Sequence, residues 1–160
     1  MTTLMKAFCA ALLLAWTAVA AAGEAPASTI AVSGMVDHPQ TLTMAALQAL
    51  PKQTVSVGYM TGRGEQKGTF TGAHLWDVLK MVAVKDEGRN SQLKRAIWIE
   101  GSDGYSIVVS YSELDPDYGN HDMLIAYRRE DAPQSGYRLI VPSDKHGGRY
   151  VSGIAKIEVK

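Results

Sequence analysis

The residues best equipped for chemistry lie between Pro142 and Arg149 of this 160-residue chain. Lys145, His146 and Arg149 supply positive charge and donors, and Asp144 supplies an acceptor. The adjacent Gly147 and Gly148 let the backbone approach a ligand closely and turn its N–H groups towards it. Such a loop suits an anionic or hydrogen-bond-rich small molecule. Both flanks read as strands. Leu139 and Val141 alternate with Arg138 and Ile140, and Ala155, Ile157 and Val159 alternate with Lys156, Glu158 and Lys160, the period-2 pattern of a half-buried strand.

Asp103-Gly104-Tyr105 is a second candidate, and it reads equally as a tight hairpin turn. Tyr105 shares a strand face with Ile107 and Val109, so its ring reads either as core with the hydroxyl reaching out or as part of a pocket mouth. Trp76 sits about 100° around a helix from Leu75, where it lines a pocket or packs at the edge of the core. His74, just before it, faces either a ligand or solvent. Trp98 points away from Ile97 and Ile99 and reads as core or as partner surface. Other constellations fail. His38, His74, His121 and His146 lack the short paired spacing of a metal site. Ser143, Asp144 and His146 are too close along one turn to form a nucleophile–base–orienter set. No phosphate-cradling Walker loop is present. No catalytic or metal-ligating residue is therefore assigned.

Short elements must position these residues. Residues 29–36 predict a first strand. Residues 44–50 predict a short helix with Thr43 as N-cap and Pro51 beyond its end. A strand follows over 53–59, then a Gly-rich turn over 61–67 leading into 68–71. Residues 72–84 predict the clearest helix, because Leu75, Val78, Leu79 and Val82 form one apolar stripe. Strands are expected over 95–100 and 105–111, joined by the Asp-Gly turn, with Ser110 and Glu113 spaced as a capping box. A strand over 123–127 and a loop over 131–136 complete the chain. Short strands, two short helices and many glycine turns predict one α+β domain dominated by β-structure.

The N-terminus reads as a secretory leader over residues 1–22, with Lys6 as its positive region and an apolar run ending in small residues. The expected mature domain, 23–160, is soluble, exported to the periplasm and not inserted in the membrane. It keeps no cysteine, since Cys9 leaves with the leader, which excludes disulfides, thiolate metal ligands and a thiol nucleophile. Of 16 basic residues, loss of Lys6 leaves fifteen against 16 acidic ones, so no global field draws in nucleic acid.

In order along the chain, GTFTGAHLWDVLK (68–80), EGSDGYSIVVSYSELDP (100–116), MLIAY (123–127) and YRLIVPSDKHGGRYVSGIAKIEV (137–159) resemble the sulfite-oxidase-type molybdopterin-binding domain. The resemblance covers nearly the whole expected mature chain. Catalytic members of that family hold molybdenum through a cysteine thiolate, which this mature chain would lack. What the resemblance carries over is a pterin pocket, formed by Lys145, His146, Gly147, Gly148, Arg149, Tyr150 and Ser152, with Asp103 and Tyr105 near its mouth; Asp144, Trp76 and His74 are added as candidates by residue type and position. Arg149 and Tyr150 suit stacking on the pterin plane, and Asp144 suits its 2-amino edge. In size, leader and missing thiolate the chain resembles the PruR-type periplasmic pterin-binding proteins. That implies a non-catalytic pterin sensor, binding a pterin of the tetrahydropterin type in preference to molybdopterin. Its expected signalling partner is the periplasmic domain of a membrane enzyme of cyclic-di-GMP turnover, a diguanylate cyclase or phosphodiesterase. A molybdopterin-dependent oxidoreductase or its subunit, and a ligand-free interaction module, stand as alternatives.

Overall fold

Alternation of apolar and polar residues produces two sheets whose inner faces share one core. The computed structural model describes residues 29–130 and 132–160; the expected leader, with Cys9, lies outside the described residues. In chain order the elements are β1 (Ile30–Gly34), β2 (Gln40–Leu42), α1 (Met44–Ala49), β3 (Lys52–Thr61), β4 (Gly64–His74), α2 (Leu75–Val82), β5 (Ala96–Gly101), β6 (Ser106–Ser110), α3 (Tyr111–Leu114), β7 (Leu124–Arg129), β8 (Ala132–Ile140) and β9 (Ile154–Val159). Short 3₁₀ turns occupy Ser91–Lys94 and Gly147–Arg149. The expected strand-dominated α+β architecture is what the chain adopts.

One sheet runs β2-β1-β9-β5-β6 and the other β3-β4-β7-β8. Neighbours pair antiparallel except β1 and β9, which run parallel. Ile30, Val32, Ile97, Ile99, Ile157 and Val159 from the first sheet meet Phe70, Leu124, Ile125, Leu139 and Ile140 from the second in a single buried cluster. The stripe of α2 is buried as its spacing predicts, with Leu75, Val78, Leu79 and Val82 no more than 1% exposed. Each such side chain contributes about 1.5–3 kcal/mol of transfer free energy. Thr43 caps α1 by accepting from the Ala46 amide at 3.3 Å, as expected. Among the described residues no helix is long and apolar enough to cross a membrane.

Three stretches differ from the sequence expectation. The helix predicted from residue 72 starts at Leu75, because β4 runs on through His74 against β7. Backbone packing dictates this: a Cβ on Gly72 would lie 2.1 Å from the Ile125 carbonyl oxygen. The turn expected over 61–67 shrinks to Gly62 and Arg63, between two long strands in continuous register from Lys52↔Ala73 to Thr61↔Gly64. Gly64 adopts φ +96° there, and the Thr61 hydroxyl donates to its carbonyl at 2.9 Å. The loop expected over 131–136 is largely β8, which carries Pro133. Proline is tolerated because β8 is a sheet edge.

Candidate functional site

The segment after β8 folds back over the end of the β3–β4 hairpin, and this fixes the candidate loop. Met60 donates its amide to the Lys145 carbonyl at 2.9 Å, and Met60 and His146 form an isolated parallel bridge. A Cβ on Gly147 would meet the Tyr59 ring at 3.0 Å and the Thr61 methyl at 3.3 Å. Glycine is needed here for close approach of the loop to the hairpin. Gly148 has open space where a side chain would stand. Its carbonyl accepts a short hydrogen bond from the Tyr105 hydroxyl, which joins the Asp103–Tyr105 turn to the loop. That turn is an Asx turn, with the Tyr105 amide donating to Asp103 Oδ1 at 3.0 Å. The two motifs singled out from the sequence therefore meet.

Arg149 and Tyr150 have other engagements. Arg149 donates from Nε and Nη2 to the two Asp144 oxygens at 2.8 and 2.7 Å, and from Nη1 to Glu113 Oε1 at 3.1 Å. The hydrogen bond to Asp144 is the main cause that lifts its pKa further above the ordinary guanidinium value, with burial opposing. Glu113 also closes the capping box of α3, where its Oε2 accepts from the Ser110 amide at 2.9 Å. His121 Nδ1 lies 3.8 Å from Glu113 Oε1. Arg149 thus clamps the loop to α3, and Asp144 spends its carboxylate on that clamp. Tyr150 is buried. Its ring stacks on Tyr59 with centroids 4.1 Å apart, and its hydroxyl donates to the Val141 carbonyl at 3.0 Å. Burial, then the neighbouring Tyr59 and Asp144, push its phenol up to about 12.

Of the remaining candidates, Lys145, His146 and Ser152 are exposed at the surface around the loop. Trp76 packs edge-on against Tyr111 at 5.1 Å, at the edge of the core. His74 sits 3.8 Å from Asp122. With Trp76 and His121 it lines a separate hollow of about 180 Å³. Trp98 is 40% exposed, with the Lys160 ammonium 4.4 Å over its ring.

The structure adds a feature that the sequence reading missed. A cleft of about 430 Å³ is lined by Tyr59, Thr61, Gly62, Arg63, Gln66, Arg129 and Arg138. It adjoins the loop, since Gly147 packs on its Tyr59–Thr61 wall. Three guanidinium groups border it, with no carboxylate among its described lining residues. Arg129 donates to the Lys67 carbonyl at 3.0 Å and Arg138 to the Tyr59 hydroxyl at 3.3 Å, while the Arg138 Nε is buried without a partner. Guanidinium forks match phosphate and carboxylate oxygens, so the cleft suits an anionic group. A larger hollow of about 600 Å³ lies along β3, β4 and β7. Its Thr54–Thr71 hydroxyls already pair with each other, as do Ser56 and Thr69 of the adjoining hollow, each pair at 2.9 Å. Arg63, Arg129 and Arg138 were hidden because they are scattered over 76 positions of sequence and converge only when the hairpin, β7 and β8 pair.

The donor set fits one part of a molybdopterin and not the other. The arginine cleft and the exposed backbone of Gly148 fit a flat, phosphate-bearing heterocycle. A molybdenum ion held by the protein finds no such fit: the described residues contain no cysteine, and no group of three His, Cys, Asp or Glu converges among them.

Known proteins offer a family, two relatives and one similar structure. The oxidoreductase molybdopterin binding domain family matches residues 18–160. Nitrate reductase [NADH] of Ulva prolifera is 28% identical over 165 residues, covering 81% of this chain and 18% of that protein. Nitrate reductase [NADH] of Volvox carteri is 31% identical over 162 residues, with the same coverages of 81% and 18%. The chain therefore spans about a fifth of the length of these relatives. In structure, it resembles the sulfane dehydrogenase SoxCD of Paracoccus pantotrophus with a TM-score of 0.66 at 16% identity, over 82% of this chain and 37% of that one.

Proposed function

Because the chain belongs to the oxidoreductase molybdopterin-binding domain family, we propose that it holds a molybdopterin-type cofactor as the binding domain of an oxidoreductase. The observation that carries this reading is the arginine cleft beside the loop. Arg63, Arg129 and Arg138 would take the cofactor's phosphate, and the Gly148 backbone, with Lys145 and His146, would border the pterin. When bound, such a cofactor supplies redox chemistry at its metal. The protein's own residues bind and orient the organic part. The nitrate reductase relatives favour a redox context over a purely structural one.

The experiment is to denature purified full-length protein, measure released pterin by mass spectrometry and measure molybdenum in the same sample. Stoichiometric pterin and molybdenum support the proposal, and Arg138→Ala should then lower pterin occupancy by about tenfold, as loss of a charge-assisted contact does. Absence of pterin from the parent protein, or full occupancy in an Arg63/Arg129/Arg138 triple alanine variant, overturns it.

A second reading is favoured by the missing thiolate. Here the chain is a periplasmic pterin-binding protein without redox activity, presenting a pterin of the tetrahydropterin type to a membrane enzyme of cyclic-di-GMP turnover. Pterin without metal in the same assay supports this reading. A leader cleaved on export would place the protein where such a partner could meet it.

A further inference from the structure

Each sheet has two edges; β2 and β8 are blunted, and β3 is blunted at its two ends. β2 is only three residues long. β8 carries Pro133 and a positive-φ Gly136, and its far half is covered where Leu139 donates to the Val151 carbonyl. β3 begins with Lys52 and is capped at Met60 by the Lys145 carbonyl. Short length, proline, charge and a covering segment are the usual devices against edge-to-edge pairing. The fourth edge, β6, lacks all of them. Its sequence Ser106-Ile107-Val108-Val109-Ser110 contains no charge and no proline.

The ladder fixes what β6 offers. Gly101 donates to the Tyr105 carbonyl and Tyr111 to the Arg95 carbonyl. The bonded pairs between them are therefore Ile99↔Ile107 and Ile97↔Val109, because bonded and non-bonded pairs alternate in an antiparallel ladder. Ser106 and Val108 consequently turn their backbone N–H and C=O away from β5. The Ser110 amide is already taken by Glu113, which ends the free edge. Val108, 45% exposed, lies opposite Trp98, 40% exposed, as a cross-strand apolar pair on the outer face. The charges around this patch balance within the chain: Glu158, opposite Trp98 on β9, is 2.9 Å from Lys156 and 3.5 Å from Lys160, and Lys156 also lies opposite Glu100.

We propose that β6 pairs antiparallel with β6 of a second copy about a two-fold axis at Val108. The sequence is self-complementary in that register: Ser106 faces Ser110, Ile107 faces Val109, and Val108 faces itself. No like charges are brought together. The two Val108–Trp98 pairs merge into one apolar patch across the axis, and the five-stranded sheets join into one. A contact this short lies at the small end of interfaces, so the dimer is reversible and micromolar.

The test is sedimentation of the full-length protein over a micromolar to near-millimolar series, with hydrogen exchange measured at both ends of it. The expected result is a reversible monomer–dimer equilibrium in which the Ser106 and Val108 amides gain protection with concentration. The Ile107 and Val109 amides, already bonded to β5, should change little. Val108→Lys should weaken dimerisation by about tenfold or more, whereas Thr54→Lys on the β3 edge should leave it unchanged. A chain that stays monomeric throughout, or exchange that does not respond to concentration at Val108, overturns the proposal. So does a monomer that captures a different protein through this edge. The exchange pattern is read on the parent chain, so the test survives if Val108→Lys fails to fold.

Discussion

Replacing Arg149 with alanine asks whether this cation holds the loop or holds a ligand. The substitution removes three charge-assisted hydrogen bonds, two to Asp144 and one to Glu113. Exposed ion pairs contribute about 0–1 kcal/mol, and losing one partner of a buried pair costs about 3–5 kcal/mol. The side chains involved are 30% exposed for Arg149, 19% for Asp144 and 33% for Glu113. Solvent therefore screens part of the loss, and the cost falls between those limits at about 2 kcal/mol. For a domain of this size that lowers Tm by about 6 °C. Urea denaturation at neutral pH gives the stability, and pterin occupancy is measured on the same sample. In a double-mutant cycle, Asp144→Asn with Arg149→Ala should show a coupling of about 1 kcal/mol or more, because the two residues form one unit. An unchanged urea midpoint together with abolished pterin occupancy would refute this reasoning and make Arg149 a direct ligand contact.

Two further substitutions probe the frame of the site. Tyr150→Phe should cost about 1 kcal/mol at neutral pH, through loss of the hydrogen bond to the Val141 carbonyl. It should also change the alkaline limb. The folded phenol titrates at about 12 against an ordinary 10.0, so its contribution is complete below 10 and is lost as pH rises towards 12. Denaturation curves taken across that range should show a smaller loss in the variant than in the parent, the remainder coming from Tyr111 and Tyr137, whose phenols burial also raises. Gly72→Ala should be strongly damaging, costing about 3 kcal/mol or more, since its Cβ would lie 2.1 Å from the Ile125 carbonyl oxygen. Failure to detect folded protein by circular dichroism, or a sharply lowered Tm, is the expected result.

Local patterns carried most of the fold. The stripe on α2, the Thr43 cap, the Ser110–Glu113 capping box and the alternation in β5, β6 and β9 each depend on residues within a few positions of one another. The ends of β4 and β8 were less legible, because contacts distant in sequence decide them. Gly72 looks like a helix start until β7 lies across it, and Pro133 looks like a loop until a free sheet edge accommodates it. The site followed the same division. That the loop at 144–150 and the turn at 103–105 come together is what the family resemblance implied, since it placed both at one pocket. The pairing of Arg149 with Glu113, 36 residues away, has no local signature, and neither does the stacking of Tyr150 on Tyr59. The capping box explained Glu113 fully at the level of sequence, so nothing there signalled its second contact.

The parallel pairing of β1 with β9 bears on how the molecule is made. β9 lies between β1 and β5, so it is the strip that joins the β1–β2 hairpin to the β5–β6 hairpin. Residues 31–34 meet residues 156–159, and all the other described strands are synthesised in between. Until β9 emerges, the two hairpins have no common partner and each leaves a strand edge open. Contacts this far apart close late and slowly. A chain cut short before Ile154 would lack the joint between its halves and present those open edges to proteases and to other chains. Closure of this sheet therefore depends on β9, and a chain without that strand should be digested more readily than one that carries it.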